Sequence, residues 1–132
     1  MVEIPNCMHK QIVQCIDSHC GVYRSRWMRL DFDEDGPRDA QRDKAAYNEL
    51  ARAFATKVQD ENAPEFIRRA GDRYARVTVG KGPVGEGYPG PYFVGVWLLD
   101  SHGSSLGIRI SYHDPADTGT ALRIAKSVRC KR

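Results

Sequence analysis

The run Asp31-Phe32-Asp33-Glu34-Asp35-Gly36 carries alternating carboxylates ahead of a glycine, the opening of a loop that wraps a hard cation. Asp39 stands at the ninth position of such a loop and would add a ligand. The twelfth position, where a bidentate glutamate belongs, is Arg42, and the eighth is Arg38. Asp31, Asp33, Asp35 and Asp39 are therefore weak metal candidates, and no bound metal is expected. An acidic stretch just before a helix is also favoured by the helix dipole without any ion. Cys7, His9, Cys15, His19 and Cys20, with Cys130, supply ligand types that suit zinc. They lack the two close ligand pairs that mark a zinc site. Cys15 falls on a predicted core stripe, where a free thiol packs as a small hydrophobe.

Asp100, Ser101, His102, Ser104 and His113 have the side chains of a hydrolytic triad. Four of them crowd into one predicted turn, and residues of one tight turn do not converge on a common atom. Turn chemistry accounts for Asp, Ser and Gly there. His102 or His113 would be the base of a small hydrolase, a reading kept as an alternative. The segment from Gly80 to Pro91 is rich in glycine and proline but has neither a phosphate-loop motif nor a following helix. It is long for a link between neighbouring strands, and such loops often contact something. Lys81, Glu86 and Tyr88 are its contact candidates. Arginines interleave with aromatics at Tyr23-Arg24-Ser25-Arg26-Trp27-Met28-Arg29 and around Arg69, Arg73, Tyr74 and Arg76. A sheet face so decorated can stack single-stranded RNA. The modest overall charge favours solvated or paired arginines instead.

Composition sets the frame for these residues. The chain has 132 residues, net charge +3, 41% hydrophobic and 28% charged residues, which fits one ordinary globular domain over 1–132. The first residues have no basic and apolar pattern of a secretion signal, and no apolar run approaches the ~20 residues that span a bilayer. A cytoplasmic location is expected, with the four cysteines reduced. A helix would hold Cys7 and Cys15 about 12 Å apart, beyond disulfide reach.

The elements that must position these groups follow from periodicity. Met8, Ile12, Cys15, Ile16 and His19 recur at helical spacing and predict a helix over 5–19. Residues 22–32 read as a strand with imperfect alternation. Tyr47, Leu50, Phe54 and Val58 form the stripe of a long helix over 37–59. Asn62-Ala63-Pro64-Glu65 has the form of a helix start, predicting a short helix that carries Phe66 and Ile67 to Gly71. Strands are predicted at 73–80, 92–99 and 106–112, the last two joined by a hairpin, and a helix begins at Asp117 or Thr118. Phe54 and Trp97 are expected in the core. The order α-β-α-α-β-β-β-α predicts an α+β fold with a mainly antiparallel sheet of about four strands. With no cofactor loop or complete catalytic motif, the expected function is an intracellular protein-binding module of inhibitor, immunity or adaptor type. Lys81, Glu86, Tyr88, Arg73 and Arg76 are its expected contacts, and no cofactor and no membrane are expected. RNA or single-stranded nucleic-acid binding through the arginine and aromatic surface is the first alternative, ahead of the hydrolase.

Overall fold

The computed structural model describes residues 9–11, 19–35, 40–56, 60 and 63–127. The strands are β1 (His9–Gln11), β2 (His19–Arg24), β3 (Met28–Asp35), β4 (Glu65–Ala70), β5 (Arg73–Lys81), β6 (Tyr92–Leu99) and β7 (Ser105–Tyr112). Helix α1 (Ala40–Thr56) joins β3 to β4, and α2 (Thr118–Lys126) follows β7 through a short turn at Pro115–Asp117. All seven strands make one antiparallel sheet in the order β1-β2-β3-β7-β6-β5-β4. The α+β class holds, with seven strands instead of about four and two helices among the described residues.

Three expectations are corrected. The helix over 5–19 fails where it is described: His9–Gln11 and the segment from His19 are strands that pair with each other through β2. The helix expected after Asn62 is the edge strand β4. Phe66 and Ile67 are both buried, in different clusters on opposite faces of the sheet. Only an extended chain sends neighbouring side chains to opposite sides. The cap-like sequence is overridden by pairing, and the Pro64 carbonyl accepts a hydrogen bond from the Val79 N–H. The strand over 22–32 is two strands, because Ser25 turns the chain: its Oγ accepts from the N–H groups of Trp27 and Met28 at 3.2 and 3.0 Å.

The two faces differ in their cover. On one face Met28, Leu30, Val77, Val94, Val96, Leu98, Ile108 and Ile110 are buried under Ala121, Ile124 and Ala125 of α2. Tyr112, fully buried, ties β7 to the start of α2 through its hydroxyl, 2.8 Å from Thr118 Oγ1. On the other face α1 must carry the chain from β3, third in the sheet, to the far edge at β4. It packs Leu50 on Ile67, Tyr74 and Leu99, with Tyr47 and Phe54 against the Tyr74 ring at 5.3 and 5.7 Å. It lies mainly over β4 and β5 and reaches β6 at Leu99, so among the described residues its cover is confined to that corner. Among the described residues no helix is long and apolar enough to cross a membrane.

Candidate functional site

The part of this second face that the described residues leave uncovered is a trough of about 690 Å³. Strand register fixes its plan. One row across the sheet runs Arg76, Trp97, Gly107, Asp33 on β5, β6, β7 and β3, and the next runs Thr78, Gly95, Arg109, Asp31. A third begins Gly80, Phe93, Ser111, Arg29. Two floor positions, Gly95 and Gly107, have no side chain. Among the described residues a Cβ at either would find nothing nearer than a backbone oxygen at 4.0 or 3.9 Å, so both positions have room for a side chain. Gly80 is different: the Phe93 ring lies where its Cβ would be, at 2.6 Å.

Trp97 forms one wall and is 37% exposed. It was expected in the core because Tyr92–Leu99 reads as apolar on both faces. The even positions Val94, Val96 and Leu98 are buried under α2, while among the odd ones only Leu99 reaches the cover of α1. Arg109 stacks its guanidinium on the Phe93 ring at 4.3 Å and lies 5.8 Å from the Tyr88 ring. Arg29 grips Asp31 with a fork of hydrogen bonds at 2.9–3.1 Å and donates from Nη1 to the Gly87 carbonyl. Its guanidinium covers the other contact of Tyr88 at 4.4 Å. Tyr88 is thus held between two arginines, and the Gly80–Pro91 loop is folded back onto the sheet. The loop base closes through Gly82 N–H to the Pro91 carbonyl, and Gly87, with φ +80°, makes the turn that delivers Tyr88. Beside this stack Ser111 is buried, and among the described residues its hydroxyl has no hydrogen-bond partner.

The expected contacts do not form one cluster. Arg76 lines the trough, with Nε 3.4 Å from Glu65, and Tyr88 is outside the lining, in contact with the lining residues Arg29 and Arg109. Lys81 ends β5 on the other face, with Nζ 5.4 Å from the centre of the Tyr92 ring. Arg73 is at the opposite end of β5, and Glu86 is exposed in the loop turn. Trp97, Arg109, Phe93 and Thr78 escaped the sequence reading as site residues, and Asp33 was read only as a weak metal candidate. Their signal was the pair of glycines inside strands, which marks a place where something approaches the backbone.

Asp31, Asp33 and Asp35 lie along strand β3, so the chain that would have to curl round a calcium ion is extended, and Asp39 is outside the described residues. Among the described residues no three His, Cys, Asp or Glu side chains gather as a metal set. Cys7, Cys15 and Cys130 fall outside the described residues. His102 and His113 are exposed just beyond opposite ends of β7. Ser101 donates directly to Asp72 at 2.7 Å, and Asp100 accepts from the N–H groups of His102 and Ser104, which is hairpin chemistry. A smaller hollow beside that hairpin is lined by Asp43, Lys44, Tyr47, Asn48, Ser101 and His102. Burial, with Tyr74 and Asp72 nearby, raises the Tyr47 phenol above its ordinary pKa. The chain matches no protein-family model, no curated protein and no solved structure.

Proposed function

We propose that the chain is a protein-binding module of inhibitor, immunity or adaptor type, and that the uncovered sheet face is its contact surface. The observation that carries this is the trough itself: an exposed tryptophan beside two vacant glycine positions, ringed by charges of both signs. Tryptophan and arginine are the side chains most often found at binding hot spots, where a rim of neighbours excludes water. Its size lies within the range of ligand-binding clefts. The loop that sequence reading favoured keeps a supporting role, because Tyr88 orders Arg29 and Arg109 at one end of the trough.

Single-stranded nucleic acid is the second reading, favoured by the stack Phe93–Arg109–Tyr88–Arg29. Asp31 and Asp33 on the β3 wall count against it, since a phosphate chain crossing the trough would meet both. The test is capture from a lysate of the source cell by immobilised protein, with and without nuclease. The expected result is a polypeptide retained after nuclease treatment, retained equally by Lys81→Glu on the opposite face, and reduced tenfold or more by Trp97→Ala. Capture that vanishes with nuclease, or ignores Trp97→Ala, would overturn the proposal.

A further inference from the structure

The geometry points to the chemistry of the partner: an extended segment bearing one basic and one acidic side chain two residues apart, laid along the trough. This rests on the protein-binding reading above. The charges lining the trough are largely spent on one another. Arg29 holds Asp31, and Arg76 faces Glu65. Arg109 and Asp33 remain, one of each sign, and neither has an ion pair among the described residues. Asp31, the cross-strand neighbour of Arg109, is already occupied by the Arg29 fork.

Each vacant floor position is flanked by one of these charges. Gly107 lies between Trp97 on β6 and Asp33 on β3. A cation there would meet a carboxylate on one side and an indole on the other, and indole is the best of the aromatic partners for a cation. Gly95 lies between Thr78 on β5 and Arg109 on β7. A carboxylate there would accept from the guanidinium, whose planar fork suits it, and from the threonine hydroxyl. Because Gly95 pairs with Arg109, Gly107 is its diagonal neighbour, about 7–8 Å away. Same-face side chains two residues apart on an extended chain are separated by about 6.6 Å. An extended segment therefore sets its two charges over the two vacancies at once.

The probe is a set of short acetylated peptides with central Lys-Thr-Asp, Lys-Thr-Lys or Asp-Thr-Asp in a common flank of glycine, threonine and valine. They are titrated against Trp27→Phe protein, in which Trp97 is the sole tryptophan reporting by fluorescence. The Lys-Thr-Asp peptide should bind at least tenfold more tightly than either single-sign peptide, and Asp33→Lys should turn the preference to Asp-Thr-Asp. Equal affinity for the three peptides, or no response from any, would overturn the inference. If lysate capture still depended on Trp97, the protein-binding reading would survive that result. Binding of oligothymidylate with steep salt dependence would overturn both.

Discussion

Glycines separate the scaffold from the site at the level of single residues. At Gly90 an added Cβ would lie 2.3 Å from the His113 Cα and 2.5 Å from the Tyr112 carbonyl, all backbone that has little freedom to move. Gly90→Ala should therefore lower stability by about 1–3 kcal/mol, as overpacking does, read from urea unfolding. Gly95→Val and Gly107→Val put a strand-favouring side chain into open space. Both variants should melt at or above the wild-type temperature, while the trough is filled. Tyr88→Ala removes the ring between Arg29 and Arg109 and should cost about 1 kcal/mol, the range of cation–π contacts. A loss near zero in the same unfolding experiment would mean that the loop contributes nothing to the fold and leaves Tyr88 available to a partner.

At the scale of elements, legibility followed the strength of the local pattern. Helix α1 and strands β5, β6 and β7 were readable because Leu50 with Tyr47 and Phe54, or Val77 with Ala75, repeat at one period over many residues. Strand β4 was not. Its six residues are too few for a period to show, and the proline and glutamate ahead of them resemble a helix cap. What decides for a strand is nonlocal: β5 offers Val77 and Arg76 as partners for Phe66 and Ile67. The site was less legible than the fold, because Trp97 is exposed only through the limited reach of α1, a fact of tertiary cover. The helices should carry much of the stability. Leu50→Ala and Ile124→Ala, each in a separate core, should cost about 2–5 kcal/mol by denaturant unfolding. Tyr47 adds an alkaline dependence. Its folded pKa is raised, so the unfolded chain loses this proton first as pH rises. The stability linked to it is complete below the ordinary phenol pKa of about 10 and lost as pH climbs through the raised value. Tyr47→Phe should reduce the fall in melting temperature above that pH; an unchanged alkaline slope would assign the fall to other groups.

Viewed whole, the molecule is one sheet with an unequal pair of covers. Among the described residues helix α2 packs on one face over β6 and β7, and α1 covers a corner of the other and leaves the trough. A net charge of only +3 gives no strong pull toward a polyanion, and under the proposed function the partner would be selected by the local charges of the trough. That face is the proposed interface. Its most direct test is the affinity of Gly107→Val for the polypeptide that the wild-type protein retains, measured beside the melting temperatures of both. The account predicts unchanged or raised melting with affinity reduced at least tenfold, about 1.4 kcal/mol. Wild-type affinity from a folded Gly107→Val protein would place the interface elsewhere and contradict it.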